Sequence, residues 1–182
     1  NEQDSRISLL LEFLRFINFF LPEYIFVENV PGLQNVYDKC GPFDAFVSAL
    51  IESHYNVEFK IITSQDYGVP QKRRRLVLIA SRLGKINFPI PTHGEGRINP
   101  RFVTVADKIK HLPHLKAGGN CSRDRNHRAA RLTDLNLLRI QATPEGGDRR
   151  HWPPHLQLEC HKGFVGHTDV YGRMRWNAPA SA

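Results

Sequence analysis

Cysteine is scarce in this chain. Only Cys40, Cys121 and Cys160 occur among 182 residues, widely spaced and without a CxxC pair. That argues against a disulfide framework and for a reduced, intracellular setting. Long apolar runs are missing too. The most apolar stretch, Ile7 to Leu21, is interrupted by Glu12, Arg15 and Asn18, whereas a spanning helix needs about 20 apolar residues. No membrane partner is therefore expected. The first residues are polar and mixed in charge, unlike a secretory leader. Internal repeats and low-complexity tracts are absent. So is any standard metal-ligand spacing: His111-Leu112-Pro113-His114 is interrupted by proline, and Cys160-His161 has no companion pair, so no metal is expected. What is present is a hydrophobic fraction of 41%. This suits a globular core, and the length suits one domain or one plus a small lobe.

Charge is unevenly placed. Residues 1–100 carry 11 Lys+Arg against 11 Asp+Glu, and residues 101–182 carry 14 against 7, so the whole excess of +7 lies in the second part. A neutral part joined to a basic one suggests a core that packs or does chemistry and a surface that meets a polyanion. The competing reading is a basic surface with no partner.

The spacing of Ile7, Leu10, Leu11, Leu14, Ile17 and Leu21 predicts an amphipathic helix over 5–21, with Asp4 or Ser5 as N-cap and Pro22 as terminator. Tyr24-Ile25-Phe26-Val27 reads as a buried strand of a parallel sheet. A second helix is predicted over Phe43 to Ser53, and strands over Asn56 to Thr63 and Leu76 to Ala80, the last two close enough in sequence to pair antiparallel. This order indicates an α/β sheet, whose ligands bind beyond the carboxyl ends of the strands. After Arg82 prolines and glycines break the pattern, with one short helix expected near Leu132 to Ile140. We divide the chain into a core, 1–85, an irregular basic lobe, 86–160, and a return segment, 161–182.

Two stretches carry chemistry. Glu28 and Asn29 follow the first strand directly. A carboxylate there is costly unless it is partnered or works as a proton donor or acceptor; a capped strand end is the plain alternative. In Gln71-Lys72-Arg73-Arg74-Arg75, strand alternation puts Gln71, Arg73 and Arg75 on one face and Lys72 and Arg74 on the other. Guanidinium forks there suit phosphates and base carbonyls, although a solvated charge run would look similar.

Pro22-Glu23-Tyr24-Ile25-Phe26-Val27-Glu28-Asn29-Val30-Pro31-Gly32-Leu33 resembles the ENV block of DNA cytosine-C5 methyltransferases. Asp66-Tyr67-Gly68-Val69-Pro70-Gln71-Lys72-Arg73-Arg74-Arg75 resembles their QxRxR block. Thr168-Asp169-Val170-Tyr171-Gly172-Arg173-Met174-Arg175-Trp176-Asn177-Ala178-Pro179-Ala180 resembles the block after their target-recognition region. All three stand in the family's order.

The resemblance implies part of a Rossmann-like, S-adenosylmethionine-dependent sheet plus a small target-recognition lobe that binds double-stranded DNA. It implies methyl transfer to C5 of a cytosine flipped from the duplex. Glu28 would meet the N3 and N4 edge of the base, and Asn29 would hold the backbone. Arg75 would contact the base at O2, Arg73 a flanking phosphate or the Glu28 region, and Gln71 would complete the network. In the lobe, Arg97, Arg101, Arg123, Arg125, Arg128, Arg131, Arg149 and Arg150, with Arg173 beyond it, are the expected DNA contacts. Arg123 to Arg131 is the densest stretch, and Ala142 to Asp148 reads as a flexible reading loop.

Two family features are missing from the chain. There is no Pro-Cys nucleophile motif, and no glycine-rich cofactor loop precedes the ENV block. The expectation is a segment of a longer, monomeric enzyme of bacterial restriction–modification, inactive by itself. It would be cytoplasmic and nucleoid-associated, or nuclear in a eukaryote. The alternative is a DNA-binding protein that kept the fold and lost catalysis; an unrelated basic α/β protein is a third reading.

Overall fold

Leu10, Leu14 and Ile17 lie at i, i+4 and i+7, and that stripe anchors the first helix to the sheet. The computed structural model describes residues 5–32, 41–163, 166 and 172–181. The chain divides into two compact units, one of residues up to 67 plus 73–92, the other of 68–72 plus 93 onward.

In the first unit, α1 runs Ser5–Phe20, β1 Tyr24–Asn29, α2 Pro42–Glu52, β2 Asn56–Thr63 and β4 Arg74–Ser81; the short β3, Gln71–Lys72, belongs to the second unit. Leu21 ends α1 in a left-handed conformation (φ 45°), its amide still donating to Ile17 O at 2.8 Å, and Pro22 blocks continuation. The predicted apolar face is narrower than expected. Leu10, Leu14 and Ile17 are buried, but Leu11 and Leu21 are exposed. Leu11 sits about a quarter-turn off the stripe, and Leu21 lies past the helix end. The side chain of Ile7 and the proposed cap Asp4 fall outside the described residues.

The sheet corrects a second expectation. Its order is β1-β4-β2, and both outer strands pair antiparallel with β4. The β2–β4 pairing is as predicted, but β1 has no parallel partner among the described residues. Nor is β1 buried throughout. Ile25 is buried, whereas Tyr24 and Phe26 are more than 60% exposed, because α1 and α2 cover one face of the sheet only. On that face Ile25, Leu76, Leu78 and Ala80 meet Leu14, Ile17, Phe43, Phe46 and Leu50 in one core. Phe43 sits edge-on to Phe59, ring centroids 5.1 Å apart. Tyr55, buried at the start of β2, donates its hydroxyl to Pro22 O at 2.7 Å.

The second unit has α3, Val105–Ile109, α4, Asp134–Ala142, and β5, Ala180–Ser181, with long irregular connections. Thr104 caps α3, its Oγ1 accepting from Asp107 N at 3.2 Å while Asp107 accepts from Thr104 N at 2.9 Å. The end of the chain docks on this unit. Trp176 O and Ala178 O accept from the amides of Ala106 and Val105, and β5 pairs parallel with β3, Gln71 opposite Ala180.

Candidate functional site

Alternation along β1 decides what Glu28 can reach. Ile25 points into the core, so Tyr24, Phe26 and Glu28 occupy the other face. Glu28 stands opposite Val77 in the register, and Arg75, two residues earlier on β4, shares that face. Diagonal neighbours across an antiparallel pair are within reach of long side chains. Arg75 Nε lies 2.7 Å from Glu28 Oε1, and Arg75 Nη1 donates to Arg74 O at 2.8 Å. The arginine side chain is 21% exposed and the carboxylate 51%. A mostly buried, always-charged guanidinium therefore fixes a carboxylate that remains accessible. Asn29 turns back on the main chain, its Oδ1 accepting from Val30 N at 2.7 Å, which caps the strand end and fixes the turn after Glu28.

Of the two arginines with unresolved roles, Arg75 is the one that meets Glu28. The Arg73 side chain is exposed, while its carbonyl accepts from Ser64 N at 2.9 Å and Ser64 Oγ at 3.0 Å. These bonds fix where β4 begins and hence the register that carries Arg75. Gln71 lies on β3 in the second unit, its amide donating to Val69 O at 2.7 Å.

The basic residues of the second unit divide by what they already hold. Arg149 is buried and donates to His161 O at 3.3 Å and Gly166 O at 2.8 Å. Its donors are engaged inside the protein, so the expectation of a DNA contact fails there. Arg150 grips Asp148 through Nε at 2.9 Å, and Asp148 Oδ1 also accepts from Arg150 N at 2.9 Å. The guanidinium hydrogen bond, ahead of the backbone one, holds the Asp148 carboxyl at about 2 against burial, which opposes it. Arg101 pairs with the α3 capping residue Asp107 at 2.8 Å and, with the Thr104 bonds, keeps that carboxyl well below the usual range. Arg173 Nη1 donates to Thr143 O at 3.2 Å. Arg123, Arg125, Arg128 and Arg131 are exposed on a hairpin.

The stretch Ala142 to Asp148 is not the free loop that its composition suggests. Thr143 is 1% exposed; its Oγ1 accepts from Trp152 Nε1 at 2.8 Å and donates to Arg139 O at 2.8 Å. Gly146 N and Gly147 O bond to Arg173 O and N, both at 2.9 Å, and Glu145 Oε1 accepts from Trp176 N at 2.7 Å. Gly146 has φ 72° with the Arg175 side chain packed where a Cβ would go, so glycine here serves tight packing rather than mobility. Sequence reasoning missed this frame. The one legible signal was that the only two tryptophans, Trp152 and Trp176, both lie in the basic part.

Comparison with known proteins adds to this geometry. The profile of the family described as C-5 cytosine-specific DNA methylase matches residues 1–134. The chain belongs to that family. It is 39% identical over 178 residues to the type II methylase M.HgiDII of Herpetosiphon aurantiacus, covering 97% of this chain and 49% of the relative. It is 35% identical over 156 residues to the type II methyltransferase M1.HphI of Haemophilus parahaemolyticus, covering 85% and 40%. The chain thus spans about half the length of the curated relatives it matches. A solved structure, a prophage-encoded protein of E. coli described as a DNA modification methyltransferase, superposes with a TM-score of 0.54 at 18% identity, over 98% of this chain and 57% of that one. This places the methylase chain in an α/β fold shared with that structure. Among the described residues, no helix is long and apolar enough to cross a membrane.

Methyl donors of such folds sit against glycines that let the main chain approach closely. The two glycines soon after strands in the methylase core, Gly32 and Gly84, have nothing within 4 Å of the position a Cβ would take. Neither glycine is packed against protein atoms, so both leave the main chain open to a neighbouring group.

Proposed function

We propose that the protein containing this chain methylates C5 of a cytosine flipped out of a specific DNA duplex site, with S-adenosylmethionine as the source of the methyl group, in restriction–modification. The observation that carries the reading is the Arg75–Glu28 pair at the carboxyl end of β1, 2.7 Å from Nε to Oε1, inside a chain of this family.

Glu28 meets the N3 and N4 edge of the cytosine. A hydrogen bond or proton given at N3 withdraws electron density from the ring, so C6 becomes the better electrophile. A thiolate then adds to C6, the electron pair moves to C5, and C5 takes the methyl group. Loss of the C5 proton and expulsion of the thiolate restore the ring. Arg75 positions Glu28 and lies on the same sheet face, where its guanidinium borders the base. Asn29 keeps the strand end in place, and Arg73 faces the phosphate flank.

The thiolate comes from elsewhere in the protein, because no Pro-Cys motif occurs in this sequence. Cys40 lies outside the described residues, and Cys121 and Cys160 are free thiols of the second unit. The 182-residue chain alone is accordingly inactive, and the complete enzyme works as a monomer in the compartment that holds the DNA. Bisulfite sequencing of DNA incubated with the full-length protein and S-adenosylmethionine tests the reading. The expected result is protection of one cytosine within a defined sequence context. Full conversion of every cytosine, with none protected in any sequence context, overturns it.

A further inference from the structure

Helix α1 carries two apolar stripes, and the core uses only one of them. Leu10, Leu14 and Ile17 face the sheet. Leu9, Phe13, Phe16 and Phe20 repeat at spacings of four, three and four residues, the pattern of a helix–helix seam. This second stripe lies about 100° around the helix from the first. It is open: Phe13 is 39% exposed, Phe16 50% and Phe20 68%. The rings order one another, Phe16 stacking on Phe20 with centroids 6.4 Å apart and Phe19 meeting Phe20 edge-on at 4.9 Å.

Strand β1 borders this stripe. One of its edges pairs with β4, and the other has no partner strand among the described residues. Open edges are normally guarded by lysine, proline or a bulge. Tyr24–Asn29 contains no lysine, proline or glycine, and it pairs with β4 residue for residue. A groove of about 300 Å³ is lined by Phe13, Phe16, Phe20, Tyr24 and Phe26. Helix α1 covers one sheet face and Tyr24 and Phe26 point to the other, so a groove that touches both lies at the free edge of β1.

The occupant that fits is a second copy of this chain. An added strand continues the hydrogen-bonded ladder and sends alternate side chains to either face. About a two-fold axis, Tyr24 and Phe26 of the two copies meet on one face and the two α1 stripes on the other, each patch complementary to itself. Charge favours the antiparallel arrangement. Glu28 stands near one end of β1, so antiparallel pairing sets the two carboxylates about 10 Å or more apart, whereas in-register parallel pairing would place them side by side. The area is sufficient. At about 200 Å² for a whole aromatic side chain, the exposed parts of the five lining rings come to about 550 Å² per copy, or about 1,100 Å² for two. Leu9 and the main chain of β1 carry the total past the ~1,200 Å² at which stable specific interfaces begin.

We propose that the chain forms a two-fold dimer in which β1 pairs antiparallel with β1 of a second copy, giving a six-stranded sheet, and the Leu9-to-Phe20 stripes close over the join. The proposal concerns the 182-residue chain and does not rest on the methylation reading of the complete enzyme.

Sedimentation velocity at about 50 μM chain is the test; interfaces of this size bind at micromolar or tighter, so a species of twice the chain mass should dominate. Phe26→Lys places an edge guard on the strand, and Phe16→Glu places a charge in the seam. Both replace exposed side chains, so circular dichroism should match the wild type while the dimer dissociation constant rises about tenfold to a hundredfold. Ile51→Glu, at an exposed apolar position of α2 outside the groove, should leave the dimer intact. Hydrogen exchange on the wild-type chain gives a readout independent of any variant: amides within Tyr24–Asn29 should slow as concentration rises from about 1 to 50 μM. A chain that stays monomeric overturns the proposal and gives the face a different occupant. So does a dimer that either groove variant leaves intact or that Ile51→Glu dissociates, a polydisperse aggregate, or β1 exchange that does not change with concentration.

Discussion

Arg75→Lys separates the structural worth of the Glu28 pair from its catalytic worth. Lysine keeps the positive charge and much of the stem but has no Nε donor at the branch point that now lies 2.7 Å from Glu28 Oε1. The Nη1 bond to Arg74 O is lost as well. A charge-assisted hydrogen bond contributes about 1.5–3 kcal/mol when shielded. Glu28 is half exposed, so water and salt screen the pair, and its contribution to folding should fall to about 0.2–1 kcal/mol. For a chain of this length, that is a melting shift of at most about 2–4 °C. Catalysis is less forgiving. A carboxylate displaced by about 1 Å from the edge of the base costs on the order of a hundredfold in turnover. Steady-state methyl incorporation by the full-length enzyme, followed alongside calorimetric melting, measures both. We expect kcat to drop about a hundredfold, duplex affinity to hold, and the melting temperature to stay within a few degrees. Wild-type kcat in Arg75→Lys would refute the positioning argument. A fall of ten degrees or more would show that the pair is structural.

Further outcomes follow from the same geometry. Glu28→Gln in the full-length enzyme should lower methyl transfer by orders of magnitude with duplex binding intact, measured by single-turnover kinetics beside a gel-shift titration. Phe46 is fully buried between α1 and the sheet, so Phe46→Ala should destabilise the first unit by about 3–5 kcal/mol in denaturant titration. Asp148 is held at about 2 by Arg150, below its unfolded value of about 4. Its stabilising contribution is therefore complete above pH 4 and lost as pH falls toward 2. Asp148→Asn should flatten the acid limb of the melting temperature over that window, and an unchanged acid limb would show that the clasp contributes nothing.

Local rules were enough to locate the principal α/β elements and the two core motifs. Apolar spacing placed α1, α2, β2 and β4 to within a few residues, because each of these segments buries one face and its period survives in the sequence. The ENV and QxRxR stretches were legible because their chemistry is carried by contiguous residues. The tertiary structure decided three things that local rules do not contain. Strand order and direction made β4 the centre and left β1 with an exposed face, since pairing depends on residues about 50 positions apart. Register brought Glu28 to Arg75 rather than to Arg73, because alternation gives both arginines the same face and only a two-residue shift of pairing would exchange them. Folding of the basic part sorted its arginines: Arg149 buried on carbonyls, Arg150 on Asp148, and Arg123 and Arg125 exposed at the turn of a hairpin. In sequence these guanidinium groups are equivalent charges, and only their surroundings make some of them scaffold and leave others exposed to solvent.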